Sequence, residues 1–206
     1  MFPDLLRDDV FRLETRRLWL RWPRAGDAAL IARFLGEREV AEMTAHAPHP
    51  YPPGAAAEFV LKARAANMAG GALVLVLAPK ARPTEIIGSI GLQGRGAQEA
   101  TLDFWLGKPF WAQGYMSEAA HALLDMAFSL TDLAAVQAVA RQGDLAARHV
   151  LDACGFHATG PGVEAAPAGA GRVDYGGEGS GPAPYADRLT GPSPAGSAIE
   201  AARRLG

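Results

Sequence analysis

Residues 101–128 read TLDFWLGKPFWAQGYMSEAAHALLDMAF, and this stretch decides the fold. TLDFWL (101–106) is a short, largely apolar segment typical of a strand, and Gly107 to Met116 reads as a loop. Ser117 is a candidate cap for a following helix. The apolar residues of that helix recur at helical spacing, at Ala120, Leu123, Leu124, Ala127 and Phe128. The stretch therefore predicts a strand, a loop that carries Gly114, and an amphipathic helix.

The start of this helix is a candidate anion site. The first backbone N–H groups of a helix have no helical partner, and the helix dipole adds partial positive charge there. Gly114 has no Cβ, so the backbone can approach a bound group closely. Such a loop suits a phosphate or pyrophosphate. The alternative is a plain strand–loop–helix joint, because the stretch has neither a P-loop lysine motif nor a G-x-G-x-x-G pattern.

The flanking segments predict an α/β (α+β) fold in which a mixed sheet carries helices on both faces. Helices are indicated near residues 28–35 and 55–68 and after Asp144. The remaining strands are indicated within 13–22, at 72–79, 85–92 and 136–141, and from Phe156 onward. Short turns separate the three strands between residues 72 and 106, which predicts an antiparallel meander there.

Length and composition exclude several classes of protein. The 206 residues predict one domain over 1–206, in which 160–196 is a loop-rich part dense in glycine and proline. Lys and Arg number 20 against 22 Asp and Glu, so the basic footprint of a nucleic-acid or membrane-surface binder is missing. The single cysteine, Cys154, excludes an intrachain disulfide and a cysteine zinc cluster.

Cellular location is predicted from the same features. The opening residues MFPDLLRDDVFRLETRR are too charged for a signal peptide, and no apolar run of membrane-spanning length follows. With one cysteine, a reducing setting is the simplest expectation. We therefore predict a cytoplasmic protein.

Four stretches in this order resemble the GNAT acyltransferase superfamily, and most closely its RimJ/RimL-type branch. They are LETRRLWLR with PRAGDAALIARFL (13–35), EIIGSIGL (85–92), the 101–128 stretch, and RQGDLAARHVLDACGF (141–156). The resemblance covers residues 13–158, the expected core. It implies a largely antiparallel sheet of six to seven strands with about four helices on both faces. It also implies transfer of an acetyl group from acetyl-CoA to an amine in a ternary complex.

The resemblance also implies where acetyl-CoA binds. Its pyrophosphate would lie on the loop amides of Gln113, Gly114, Tyr115, Met116 and Ser117. Its pantetheine arm would pair with the strand end from Trp105 to Gly107, where the Leu106 N–H would hold the developing oxyanion. Asp144 and Arg148 belong to the helical segment beside the CoA thioether, and Arg148 is a candidate partner for a CoA phosphate.

Several positions depart from the family pattern. Met116 stands where a small residue is usual, and Gln113 where a basic one is frequent. Leu151 matches the tyrosine that protonates the leaving thiolate in some relatives, and Val139 matches the glutamate base of others. Asp103 is a candidate general base acting through a water, or alternatively a solvent-facing strand carboxylate.

Candidate acceptor contacts lie in the proline-rich loop and on the central strand. His46, His49 and Tyr51 belong to the loop, and Trp105 shares a strand face with Asp103. The alternatives are residues that only turn the chain and a packed aromatic. His46 and His49 alone do not make a metal site, so no metal is expected.

The sequence thus predicts an acetyl-CoA-dependent N-acetyltransferase, monomeric or homodimeric, acting on a protein N-terminal or small-molecule amine. Neither nucleic acid nor membrane is an expected partner. Two alternatives are an acyl-CoA-binding sensor or decayed enzyme, and an interaction module with no cofactor.

Overall fold

The computed structural model describes residues 2, 11–44, 47–141 and 143–161 and the backbone of 172–178, with side chains described up to residue 158. The elements in chain order are β1 (Arg12–Glu14), β2 (Leu18–Arg21), α1 (Ala28–Leu35), α2 (Arg38–Met43), α3 (Ala55–Met68), β3 (Ala72–Pro79), β4 (Gly88–Gly94), β5 (Glu99–Leu106), α4 (Tyr115–Leu130), β6 (Ala135–Arg141), α5 (Leu145–Ala153), β7 (His157–Pro161) and β8 (Arg172–Glu178).

The strands form one mixed sheet in the order β1-β2-β3-β4-β5-β6-β8-β7. Neighbouring strands are antiparallel except β5 and β6, which are parallel. A parallel pair needs a long crossover connection, and α4 lies within it. The predicted meander is therefore present as β3, β4 and β5, and the one parallel pair lies next to it.

Two hydrophobic cores lie on opposite faces of the sheet, because successive side chains of a strand point to opposite faces. Leu102 of β5 packs with α4 residues such as Leu123 in the first core. Trp105 packs with Ile31 and Phe34 of α1 in the second. The two faces of β5 are thus each covered by helices.

The predicted α/β fold class is confirmed, and the number of elements is slightly higher than expected. The segment 13–22 forms two strands, because Thr15 and Leu18 make a tight turn with Leu18 N–H donating to Thr15 Oγ1 (2.9 Å). Gly36 separates α1 from the additional short helix α2. Within the described residues the sheet therefore has eight strands, and five α-helices accompany it.

Among the described residues, none of the helices combines the length and apolar character needed to cross a membrane.

Candidate active site

The parallel strands β5 and β6 pair only over the first part of their length. β5 and β6 pair from Glu99 and Ala135 to Leu102 and Ala138, where their described register ends. β5 continues to Leu106 and stays paired with β4 on its other side. The end of β5 therefore presents one backbone edge toward the gap that β6 leaves.

The backbone alternation shows which groups face this gap. Gly107 N–H donates to Ile87 O (2.8 Å), so Gly107 faces β4. Since alternate residues of a strand direct their N–H groups to opposite edges, the N–H groups of Phe104 and Leu106 face the gap. An open strand edge of this kind can pair with an extended ligand, and its N–H groups can stabilise a developing negative charge.

Trp111 holds the end of β5 in place. Its indole Nε1–H donates to Leu106 O (2.6 Å). Phe110 packs edge-on against Phe34, with ring centroids 5.9 Å apart. Because Trp111 occupies the Leu106 carbonyl, the Leu106 N–H is the group left to interact with a ligand in the gap.

The loop after β5 is wound tightly before α4 begins. Ala112 and Gly114 both adopt left-handed backbone, with φ of 56° and 72°. Gly114 is the N-cap of α4, so the predicted cap at Ser117 is wrong and the helix begins at Tyr115. The glycine makes the earlier start possible, because a left-handed φ costs it nothing.

The first amides of α4 are available to a ligand. The first helical bond runs from Glu118 N–H to Gly114 O (3.1 Å), so the N–H groups of Tyr115, Met116 and Ser117 precede the helical ladder. A Cβ on Gly114 would meet only Arg17 Nη2, at 3.5 Å. The backbone there can therefore be approached closely, as an anion site requires.

The side chains of Gln113 and Met116 are engaged away from these amides. Gln113 Nε2–H donates back to Pro109 O (2.8 Å). Met116, which replaces a small residue of the family pattern, is 5% exposed and packs in the first core. The bulk of Met116 therefore lies in the core and not over the N–H groups of the loop.

Arg17, between β1 and β2, joins this loop through Glu118. The Glu118 carboxylate accepts from Thr15 Oγ1–H (2.6 Å), Arg17 N–H (2.7 Å) and Arg17 Nε–H (2.6 Å). Burial raises the pKa of Glu118, but these hydrogen bonds and the Arg17 charge outweigh burial and hold it below its ordinary value. Glu118 is therefore ionised at neutral pH, and its hydrogen bonds connect α4 to the β1–β2 turn.

Helix α5 lies beside α4. Asp144 is its N-cap, accepting from Ala147 N–H (2.9 Å), and so the predicted cap is confirmed. The His121 ring lies between the two helices, with Nδ1 2.7 Å from Ser117 O and Nε2 3.0 Å from Ala153 O. Arg148 is half-buried on α5. The cofactor roles predicted for Asp144 and Arg148 stay predictions.

Cys154, at the end of α5, is a core residue and not a reactive thiol. Its side chain is buried, and burial together with nearby Asp125 raises its pKa to about 12. A thiol with such a pKa is protonated at neutral pH and is a poor nucleophile.

The opposite face of β5 carries the other predicted side chains. Asp103 is exposed there, whereas Trp105 is 9% exposed and packs against Phe34, with ring centroids 6.4 Å apart. Tyr51 packs against the same core as Trp105, and burial raises its pKa. The packed-aromatic alternative thus describes the Trp105 side chain, and its predicted cofactor and acceptor contacts stay predictions.

Of the two histidines in the proline-rich loop, the structure describes only one. His49 is exposed, and His46 lies outside the described residues. Within the part of the chain that the structure describes, no group of three or more His, Cys, Asp or Glu side chains is placed to hold a metal ion.

Sequence reasoning missed Thr15, Arg17, Glu118 and Trp111. Arg17 and Glu118 lie 101 positions apart, so no local pattern connects them. Their only signal was a threonine and an arginine before the first apolar alternation and a carboxylate in the first turn of a helix. The sequence placed Trp111 in the loop, but it gave no indication that its indole donates to the Leu106 carbonyl.

An arrangement of this kind suits an acyltransferase of the acyl-CoA class: within the described residues, the parallel pair stops pairing before β5 ends, and the first N–H groups of α4 precede its helical ladder in the loop beside it. A family model described as an acetyltransferase (GNAT) domain matches residues 17–157. The chain belongs to this GNAT acetyltransferase family and is an acetyl-CoA-dependent N-acetyltransferase. No curated protein sequence matches it.

Solved structures share the fold at low sequence identity. RimL, a ribosomal-protein alpha-N-acetyltransferase in complex with coenzyme A, is similar with a TM-score of 0.72 and 15% identity, over 82% of this chain and 98% of its own. The ribosomal-protein-alanine acetyltransferase from Vibrio fischeri gives 0.70 and 18%, over 82% and 97%. The microcin self-immunity acetyltransferase MccE, in complex with acetyl-CoA and AMP, gives 0.69 and 15%, over 79% and 93%.

Proposed function

We propose that this chain transfers the acetyl group of acetyl-CoA directly to a primary amine, either the α-amine of a protein N-terminus or a small-molecule amine of low pKa. The observation that carries the proposal is the open edge of β5, with the Leu106 N–H facing the gap beside the loop amides of α4. RimL and the Vibrio fischeri protein are named as acetyltransferases of ribosomal proteins, which supports a protein N-terminus.

The residues would divide the work as follows. The N–H groups of Gly114 to Ser117 would bind the pyrophosphate of acetyl-CoA, and the edge of β5 would align its pantetheine arm. The amine nitrogen attacks the thioester carbonyl carbon, and the Leu106 N–H stabilises the oxyanion that forms. Collapse of the tetrahedral intermediate forms the amide and releases CoA as the thiolate, which takes up a proton.

Proton handling favours an amine that is already neutral. Leu151, at the position of the proton-donating tyrosine in some relatives, is a core residue with 1% exposure. A lysine amine with a pKa near 10.4 costs about 4 kcal/mol to deprotonate at pH 7.5, whereas an α-amine near 7.8 costs under about 0.5 kcal/mol. Asp103, exposed on β5, would accept a proton through a water.

Paired peptides test the choice of amine. One peptide has a free N-terminus and no lysine, and its matched partner has a blocked N-terminus and one lysine. We expect kcat/KM at pH 7.5 to be at least about ten-fold higher for the free N-terminus, because of the difference in deprotonation cost. Faster turnover of the lysine peptide would contradict the proposal.

The rival of a decayed acyl-CoA sensor loses one of its supports in the structure. The departure from the family pattern at Met116 is one argument for a decayed enzyme, but the Met116 side chain lies in the core and away from the loop amides. Binding of acetyl-CoA without acetylation of either peptide or of a polyamine would favour this rival.

A further inference from the structure

The guanidinium of Arg17 contacts both residues that flank Gly114. Its Nη1–H donates to Gln113 O (2.9 Å). Its central carbon lies 4.2 Å from the centroid of the Tyr115 ring, in a cation–π arrangement. One side chain from the β1–β2 turn thus holds the loop on either side of the left-handed glycine.

Glu118 holds this arginine in one orientation. Its Oε2 accepts from Arg17 Nε–H, while its Oε1 accepts from the Arg17 backbone N–H and from Thr15 Oγ1–H. The Glu118 side chain is 16% exposed and the Arg17 side chain 32%. Charge-assisted hydrogen bonds in a partly buried setting are stronger than exposed ion pairs, so the guanidinium is well ordered.

The contact with Gln113 O determines the direction of the next amide. In a trans peptide the C=O of one residue and the N–H of the following residue point in opposite directions. Because Arg17 draws the Gln113 carbonyl toward itself, the Gly114 N–H points to the other side of the loop. The amides of α4 continue from this point, so Arg17 sets where the row of N–H groups begins.

We infer that Arg17 is a positioning residue for acetyl-CoA, orienting the amides of residues 114–117 toward the pyrophosphate through its contacts with Gln113 O, Tyr115 and Glu118. The inference rests on the proposed binding of acetyl-CoA by these amides. It assigns a binding role to an arginine that lies outside both the loop and α4.

The test compares Arg17→Met with Arg16→Met. Both variants remove one positive charge from the same turn, but Arg16 is exposed. Calorimetric titration with CoA and steady-state kinetics with a free N-terminal peptide are the readouts. We expect Arg17→Met to weaken CoA binding and raise the acetyl-CoA KM about ten-fold, since a charge-assisted hydrogen bond is lost. We expect kcat at saturating acetyl-CoA and the peptide KM to change less than about two-fold.

The Arg16→Met control separates positioning of the loop by Arg17 from a general attraction of positive charge for CoA. We expect Arg16→Met to change CoA affinity less than about two-fold, because an isolated surface charge contributes little. Equal weakening by both variants would overturn the inference in favour of general attraction. Unchanged CoA affinity in Arg17→Met, or a fall in kcat alone, would also overturn it.

A second variant, Arg17→Lys, keeps the inference testable if Arg17→Met does not fold. If Arg17→Met is unfolded at the assay temperature, Arg17→Lys keeps the charge but cannot reach Glu118 and Gln113 O together, and the same rise in acetyl-CoA KM is expected. Wild-type affinity in folded Arg17→Lys would overturn the inference. If the unmodified protein itself does not bind CoA, the proposed function fails instead, so the two failures are distinguishable.

Discussion

At the scale of single residues, Glu118 connects the start of α4 to the β1–β2 turn, and its charge matters to stability. Hydrogen bonds from Thr15 and Arg17 hold its pKa below the ordinary value of 4.5 despite partial burial. The folded state therefore binds a proton here less readily than the unfolded chain. The stabilisation is fully present above pH 4.5 and is lost as the pH falls through the lower folded-state value.

Glu118→Gln removes this charge with little change in shape. We expect it to lower the free energy of unfolding by about 1.5–3 kcal/mol at pH 7, the range for hydrogen bonds to a charged group. The difference from the unmodified protein should shrink as the pH falls below 4.5. Urea denaturation at several pH values measures it.

Glu42→Gln is the matched control. Glu42 pairs with Arg38 on an exposed helix surface. Its loss should change the free energy of unfolding by less than about 0.5 kcal/mol. A Glu118→Gln effect that is equal at pH 7 and pH 3 would contradict the account.

Gly114 is the residue at which backbone conformation and binding meet. Gly114→Ala places a Cβ on a left-handed backbone, with φ of 72°. Gly54→Ala is a matched control, because Gly54 is also a helix N-cap, with φ of 83° and open space around it. Thermal or urea unfolding should show a loss of about 1–2 kcal/mol for each variant.

Only Gly114→Ala should weaken binding of acetyl-CoA. The loop that carries Gly114 would shift to relieve the backbone strain, and its N–H groups are the proposed ligands of the pyrophosphate, whereas Gly54 lies in another loop. Titration calorimetry of both variants checks this. Equal acetyl-CoA affinity in the two variants would contradict a role for the Gly114 loop.

At the scale of elements, helix periodicity and capping residues were informative, whereas the relation between strands was not. The spacing of Ala120, Leu123 and Leu124 predicted α4, and Asp144 was recognised as the cap of α5. The cap expected at Ser117 was wrong, because a glycine in a left-handed conformation starts α4 earlier. The divergence of β5 from β6 has no local sequence signal, since it depends on where two distant segments stop pairing.

The cap of α5 gives a prediction for one element. Asp144→Ala removes the acceptor of the Ala147 N–H and should lower the free energy of unfolding by about 1 kcal/mol. Asp144→Asn keeps an acceptor and should lose only a few tenths. Urea denaturation of both variants decides, and equal losses would contradict a capping role.

At the scale of the whole molecule, the sheet and its two cores bring together groups that lie far apart in the chain. The α/β class followed from the order of the predicted helices and strands, and the meander followed from the short turns between its strands. The tie between Arg17 and Glu118 did not, because it links positions 101 residues apart. The loop between β5 and α4 was predictable, but the side chains that hold it were not, since hydrogen-bond partners across the fold leave no periodic pattern.

RimL and the Vibrio fischeri acetyltransferase share the fold of this chain at identities of only 15–18%. A site made of backbone amides and a strand edge needs a conformation and few particular side chains. Gln113 and Met116 can therefore depart from the family pattern while the loop keeps its geometry.

The central claim is that the α4 loop and the open edge of β5 bind acetyl-CoA. Titration calorimetry of the full chain with acetyl-CoA, and separately with desulfo-CoA, tests it most directly. We expect micromolar dissociation constants for both ligands, because the loop amides and the strand edge would contact groups that the two ligands share. No measurable binding of either ligand by the folded protein would contradict it, and the Gly114 loop would then be a structural joint only.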